Sequence, residues 1–105
     1  MRKMAVYSDE ILAGWLEELE DATYRFSYRL EYSGAPVSLT MPIATTTYTY
    51  SNFPPFFEGL LPEGIQLEAL LRSRKLDKND LLGQLSAVGA DLVGNVTAAA
   101  VEIPS

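Results

Sequence analysis

The sequence contains neither cysteine nor histidine among its 105 residues. Without cysteine there is no disulfide framework, no thiolate nucleophile and no cysteine-based zinc site. Without histidine the chain lacks the most common general base and the most common transition-metal ligand of proteins. These absences exclude Ser-His-Asp and Cys-His catalysis as well as histidine-containing zinc sites. Only carboxylate or lysine chemistry remains open to an enzyme.

Basic residues are also scarce. Eight Lys and Arg against fourteen Asp and Glu give a formal net charge of −6 at neutral pH. A negative field of this kind repels phosphate backbones instead of attracting them. We therefore expect no direct contact with nucleic acid.

Long hydrophobic runs are absent as well. No stretch approaches the roughly 18 consecutive apolar residues of a membrane-spanning helix. Near the N-terminus, Ser8, Asp9 and Glu10 interrupt the apolar residues before a signal-peptide core forms. The sequence therefore predicts a cytoplasmic protein without membrane contact.

What remains is the composition of a small folded domain. Hydrophobic residues make up 48% of the chain and charged residues 21%, close to the averages of folded globular proteins. The length fits one domain. We expect residues 1–105 to form a single domain.

The first half of the chain alternates apolar and polar residues with a period of two, which is typical of strands with one buried face. The predicted strands are 3–7 and 11–19, forming a hairpin around the polar loop 8–10, then 23–30, 37–43 and 45–50, the last a possible edge strand. The alternation places Leu30 and Leu39 on the buried faces of their strands. A largely antiparallel sheet is expected from this half.

The second half has helical periodicity. A first helix is predicted from Glu63 onward, because leucines recur at helical spacing over 67–71. A second is predicted to begin at Asp77, whose carboxylate can accept from free amides of the first turn, and to end near Gly89. A final strand is predicted over 96–103. The fold class is therefore α+β, a mostly antiparallel sheet with two short helices covering one side.

A stiff apolar segment, residues 52–65, joins the two halves. It carries six large apolar side chains among three prolines and two glycines, which prevents a long helix and allows a helical turn or two over 55–60. In one interpretation its phenylalanines and Leu60 fill the core between sheet and helices. In the other, residues 61–65 project as a rigid loop that a partner binds, since a stiff loop loses little entropy on binding. The composition alone leaves both interpretations open.

Three motifs resemble the N-terminal subdomain of HipA-type serine/threonine kinase toxins. Residues 56–64, FFEGLLPEG, resemble that family's F-F-x-x-L-L-P-E-G motif. Residues 36–42, PVSLTMP, resemble the strand before it, and residues 80–96 resemble the D-L-L…I-G-x-D-x-x-G-A segment after it. Together the motifs span 36–96, well over half of the chain. The resemblance implies the α+β fold of that subdomain.

The kinase signatures themselves do not occur in the sequence. There is no P-loop, no kinase-type glycine-rich loop, no H-R-D and no D-F-G. A free-standing subdomain of this kind is similar to the HipS family, the small antitoxins of HipBST toxin–antitoxin systems. In those systems a HipB-like helix-turn-helix protein binds DNA, and HipT is a shortened HipA-like kinase.

The resemblance implies a protein that is not an enzyme and needs no cofactor or metal. Its implied function is to bind and inhibit a HipT-like kinase toxin in trans, within a ternary complex that includes a HipB-like protein. The alternative is an assembly module that completes the kinase, or bridges it to the DNA-binding partner, without inhibiting it.

The predicted partner-binding residues form one short segment at or near the kinase active site. They are Phe57, Leu60, Leu61, Pro62, Glu63, Gly64 and Ile65. Glu63 is expected to pair with a lysine or arginine of the kinase, and Ile65 to fill an apolar pocket. A charged residue at Leu61 or Ile65 is expected to abolish binding while folding survives. No catalytic residue is predicted.

Three other features have two interpretations each. Trp15 is either sheet packing or an interface anchor. The four carboxylates within 17–21 are either a solvated loop or a metal or acid–base site. The four basic residues within 72–78 either complement the C-terminal end of a helix or bind phosphate.

Overall fold

One five-stranded antiparallel sheet organises the protein. The computed structural model describes residues 2–92 and 94–101. The strands are β1 (Lys3–Ser8), β2 (Ile11–Glu18), β3 (Tyr24–Tyr28), β4 (Thr47–Tyr50) and β5 (Val96–Val101), in the order β4-β3-β2-β1-β5. The helices are α1 (Pro55–Glu58), α2 (Gly64–Arg74) and α3 (Leu81–Val88), and a 3-10 turn, Gly89–Asp91, follows α3. The predicted α+β class is confirmed, with α1 as a third short helix.

The predicted β1–β2 hairpin is confirmed. Its two loop residues, Asp9 and Glu10, have φ angles of 51° and 68°. Positive φ at both positions gives a turn whose twist matches that of the flanking strands. The backbone N–H of Asp9 donates to the carbonyl of Asn95 at 2.9 Å. This bond ties the loop to the residue just before β5.

One face of the sheet is covered and forms the core. Alternate strand residues are buried there, together with side chains from the helices and from the connection 29–46 between β3 and β4. The set includes Met4, Val6, Leu16, Phe26, Tyr28, Val37, Met41, Phe57, Leu82, Leu85, Val96 and Ala98. Each large apolar side chain that is fully buried contributes about 1.5–3 kcal/mol to the free energy of unfolding. The core therefore lies between the sheet and α1, α3 and this connection.

The predicted strand over 37–43 is wrong, because this segment folds as turns and bends. The hydroxyl of Tyr28 donates to the carbonyl of Met41 and accepts from the backbone N–H of Val37 at 3.0 Å. Those backbone groups are therefore satisfied without a neighbouring strand. Val37 and Met41 are buried, as the alternation indicated, but Leu39 is 93% exposed.

The strand predicted over 23–30 ends two residues early. Tyr28 is the last residue of β3, and Leu30 is 95% exposed instead of buried. The backbone N–H of Arg29 still donates to the carbonyl of Ala13 at 2.7 Å, after which the chain leaves the sheet. The strand predicted over 45–50 is present as β4 and lies at the edge of the sheet.

The predicted cap of the second helix is wrong by three residues. Asp80, not Asp77, precedes α3, and its side chain accepts from the backbone N–H of Gly83 at 3.1 Å. The carboxylate of Asp77 instead accepts from the backbone N–H of Asn79 at 2.7 Å, which closes a local turn before the helix.

The predicted start of the first helix and the predicted end of the second agree with the structure. The helix predicted from Glu63 begins at Gly64, and α3 ends at Val88, next to Gly89. A Cβ at Gly89 would come within 2.1 Å of the carbonyl oxygen of Ala98, so only glycine allows the turn to approach β5 this closely. The final strand ends at Val101, and residues 102 and 103 of the prediction lie outside the described residues.

No membrane-spanning helix occurs in the part of the chain that the structure describes, since none is both long enough and apolar enough.

Candidate functional site

Helix α1 anchors the predicted partner-binding segment to the core. It begins directly after Pro54 with Pro55 in its first turn, where the missing N–H of proline costs no helical hydrogen bond. Phe57 is completely buried. Its ring centroid lies 5.7 Å from that of Phe26 on β3. The base of the segment is therefore fixed to the sheet.

A tight turn follows α1 and brings a second side chain into the core. The backbone N–H of Leu60 donates to the carbonyl of Phe57, and that of Leu61 to the carbonyl of Glu58, each at 3.1 Å. Leu60 is half-buried and Leu61 is only 8% exposed. Phe57 and Leu61 therefore belong to the hydrophobic core.

Residues 62–65, which we call the tip, project from this base. Pro62 is half-buried, whereas Glu63, Gly64 and Ile65 are exposed. Glu63 is extended, and Gly64 has a φ of 59°, a left-handed conformation that glycine adopts without strain. Ile65 follows in the first turn of α2 with 84% of its surface exposed. The tip therefore presents one carboxylate and one large apolar side chain to solvent.

This arrangement divides the predicted partner-binding residues into two groups. Phe57 and Leu61 hold the segment in place, while Glu63 and Ile65 are free to contact another molecule. The expectation that a charged residue at Leu61 leaves folding intact is wrong, because the charge would be placed in the core without a partner. The same substitution at Ile65 puts the charge in solvent.

A groove lies beside the tip, with a volume of about 570 Å³. Leu60, Leu61, Val88 and Leu92 contribute apolar lining, and Glu63 and Asp91 contribute carboxylates. Leu60, Leu61 and Glu63 precede α2. Val88, Asp91 and Leu92 come from the end of α3 and the turn after it. Asp91 is not among the predicted site residues, because about thirty positions separate it from the tip in the sequence. Its place in the third motif is the one sequence signal that it carries.

Helix α2 follows the tip and has no buried residue. Leu67, Leu70 and Leu71 are half-buried. Arg72 and Arg74 lie in its last turn and Lys75 caps it in a left-handed conformation. These positions complement the negative end of the helix dipole, in agreement with the first interpretation of the basic residues.

Trp15 lies on β2 and is half-buried. Because Leu16 points into the core, alternation places Trp15 on the opposite face of the sheet. The Nζ atom of Lys3 lies 5.1 Å from the centroid of the indole ring, within the range of a cation–π contact. Trp15 thus packs on the sheet surface, away from the face that the helices cover.

Two of the carboxylates within 17–21 belong to ion pairs on β2. Glu17 pairs with Arg25 at 3.3 Å, and Glu18 pairs with Arg2 at 2.8 Å. Arg2 also pairs with Asp80, at 2.8 Å. The guanidinium of Arg2 lowers the pKa of Glu18 and of Asp80 through these hydrogen bonds, against the opposing effect of desolvation. Arg2 therefore links the end of β2 to the cap of α3.

Metal binding by carboxylates finds no support in the part of the chain that is described. In residues 2–92 and 94–101 no three side chains of His, Cys, Asp or Glu are grouped so that they could hold an ion. Asp21 is instead occupied locally and accepts from the backbone N–H of Thr23 at 3.2 Å.

Comparison with known proteins agrees with this architecture. The family model described as the HipA N-terminal domain matches residues 4–99. The chain belongs to the HipA N-terminal domain family. A solved structure, the N-terminal domain of a HipA toxin, superposes with a TM-score of 0.78 at 25% identity, covering 99% of this chain and 96% of that one. An uncharacterized protein of Haemophilus influenzae is 30% identical over 94 residues, which are 90% of this chain and 86% of the relative.

Membership in the HipA N-terminal domain family confirms the resemblance seen in the three motifs. It relates this chain to HipA-type toxin systems, and the relation is to an N-terminal domain instead of a catalytic domain. The 62–65 tip and both sides of the groove lie within the matched residues.

Proposed function

We propose that this HipA N-terminal domain is an antitoxin that binds a HipT-like serine/threonine kinase toxin in trans and inhibits it. The tip and the residues around it contact the kinase at or near its active site. The chain acts by binding and not by catalysis, in the cytoplasm, where the kinase has its ATP. A HipB-like DNA-binding protein joins the two in a ternary complex.

The observation that carries this proposal is the contrast between the base of the segment and its tip. Phe57 and Leu61 are buried, whereas Ile65 is 84% exposed a few residues later. An isoleucine held in solvent by a rigid base loses little conformational entropy when it enters an apolar pocket of a partner. Burial of such an anchor accounts for much of the affinity of a typical protein interface.

Charge gives a second line of support. The chain carries a formal net charge of −6, and Glu63 adds an exposed carboxylate to the tip. A kinase site that binds ATP is lined by cations, so an acidic partner is steered toward it.

The test is a phosphoryl-transfer assay with a HipT-like kinase of the same genome. Transfer of labelled phosphate is measured with and without an excess of this chain, and with the Ile65→Asp variant. We expect suppression by the wild-type chain and an inhibition constant at least about tenfold weaker for the variant, the usual cost of losing an interface anchor.

Leu39→Asp is the matched control. Leu39 is 93% exposed, comparable to Ile65 at 84%, but lies in the connection between β3 and β4. We expect this variant to inhibit as the wild type does and both variants to keep the wild-type melting temperature. Full kinase activity in a complex that copurifies would instead identify an assembly module. If Ile65→Asp inhibits the kinase as strongly as the wild type does, the interface lies away from the tip.

A further inference from the structure

We propose that the groove beside the tip receives one basic side chain, a lysine or an arginine, from the partner kinase. Glu63 and Asp91 are its two acceptor carboxylates. This inference rests on the proposed function, and it adds a second contact to the one made by Ile65.

The groove has the size and the mixed lining that a long amphipathic side chain needs. Its volume is about 570 Å³, and the lining includes the apolar side chains of Leu60, Leu61, Val88 and Leu92. Lysine and arginine bury their methylene stems along apolar surface and keep the charged head among polar groups. Here the stem lies on the leucines and the head reaches the carboxylates.

The charges of the groove select a cation. Glu63 and Asp91 contribute two negative charges, and the residues that line the groove include no lysine or arginine. Within the described residues, neither carboxylate belongs to a salt bridge or accepts a side-chain hydrogen bond. A cation from outside therefore meets two carboxylates with no internal competitor.

The two carboxylates are held by different parts of the fold. Glu63 lies directly before α2, in the tip that follows the base anchored by Phe57 and Leu61. Asp91 ends the 3-10 turn, which Gly89 brings against β5. Since both supports belong to the packed part of the molecule, little ordering is needed when the cation binds.

An organic cation also fits the groove better than a metal ion does. Calcium takes six to eight oxygen ligands, and no cluster of three or more acidic side chains lies here in the described chain. Two carboxylates beside apolar side chains instead complement a lysine or arginine, whose head forms charge-assisted hydrogen bonds with carboxylates and whose stem packs on apolar surface.

The test is the affinity for the HipT-like kinase of four variants, measured by titration calorimetry at low and at high salt. They are Asp91→Asn, Glu63→Gln, the double variant, and Glu20→Gln as a control. Glu20 is exposed in the turn after β2, so the Glu20→Gln substitution removes one negative charge outside the groove. We expect each groove variant to bind about 5- to 50-fold more weakly at low salt, as for other interface charge pairs.

The double variant tests whether one cation is shared. If both carboxylates hold the same head group, the combined loss differs from the product of the two single losses. We also expect the salt dependence of binding to be smaller for the groove variants than for Glu20→Gln.

Ile65→Asp, measured in the same series, separates this inference from the proposed function. If Ile65→Asp weakens binding but the groove variants bind as tightly as Glu20→Gln, the proposed role of the groove is overturned and the proposed antitoxin function is retained. Wild-type protein that does not bind the kinase would overturn both. Strictly independent losses in the double variant would show two separate contacts and overturn the shared cation.

Discussion

The two longest helices, α2 and α3, differ in how they are held. Helix α3 has eight residues, of which Leu82, Gln84 and Leu85 are buried, and the side chain of Asp80 caps it. Helix α2 has eleven residues, none of them buried, and no side chain caps it. Length therefore says little about which helix supports the fold. Helix α3 is part of the core, and α2 is an attached surface element that carries the tip at its start.

The difference has an energetic consequence. An isolated helix shorter than about 12–15 residues is marginal in water, so a helix of this length depends on tertiary contacts. Within the described residues, α2 packs on the molecule through half-buried leucines, and the backbone bond at 3.0 Å from the N–H of Leu76 to the carbonyl of Leu71 only closes its own C-terminal end. We expect α2 to open locally more often than α3 does.

The largest expected effect comes from truncating a leucine in each helix. Leu85→Ala should lower the free energy of unfolding by about 2–5 kcal/mol, because it leaves a cavity in the core. Leu71→Ala should lower it by less than about 1 kcal/mol, because the side chain is already partly solvated. Urea denaturation of both variants measures the difference. Equal losses would mean that α2 is as much a part of the core as α3.

The next effect concerns the ion network that fastens α3. Arg2→Ala should lower the free energy of unfolding by about 1 kcal/mol at neutral pH, since its partners Glu18 and Asp80 are partly exposed and solvent screens the pairs. Lys78→Ala, which removes an exposed positive charge outside this network, serves as the control. A loss no larger than that of the control would show that the network does not stabilise α3.

The same network predicts a pH dependence with a definite sign. Arg2 lowers the pKa of Glu18 and of Asp80 in the folded state. In the unfolded chain the pKa of each carboxyl group is about 4. The unfolded chain then binds more protons, so this stabilisation is complete above about pH 5 and is lost as the pH falls through the folded values. In thermal unfolding from pH 7 to pH 2.5, Arg2→Ala should lose less stability than the wild type. Parallel curves would contradict this.

The smallest effect is local to α2. Ala69 is exposed, so Ala69→Gly should weaken this helix by about 1 kcal/mol through propensity alone. Amide hydrogen exchange in α2 should become about five times faster, while exchange in α3 and the melting temperature stay unchanged. A drop in melting temperature would show that α2 unfolds together with the rest of the molecule.

The fold was predictable wherever local patterns and their tertiary setting agree. The β1–β2 hairpin has alternating strands on both sides of a polar turn, and it formed as predicted. Residues 37–43 alternate equally well, but the hydroxyl of Tyr28 satisfies the backbone of Val37 and Met41. Such a contact depends on a residue of a preceding strand, so no local pattern can report it.

The prediction of the residue that caps α3 was wrong for a related reason. Asp77 and Asp80 are both good capping residues and lie three positions apart. The structure favours Asp80, which also pairs with Arg2 from the other end of the chain. Residue type alone could not choose between them.

The candidate site was predictable in part. The proline- and glycine-rich composition of residues 52–65 and their motif identified the segment, but not which side chains face solvent. Burial separates Phe57 and Leu61 from Ile65. Asp91 enters the site only because α3 and the turn after it bring it to the groove.

The sequence by itself determined the family and the chemistry that is excluded, because motifs and the absence of cysteine and histidine are properties of the chain alone. It also determined most strands, because alternation is local. Only the tertiary structure decided which predicted binding residues form the core, and that Glu63 and Asp91 share a groove. Burial and proximity depend on how distant segments pack, and no single segment contains that information.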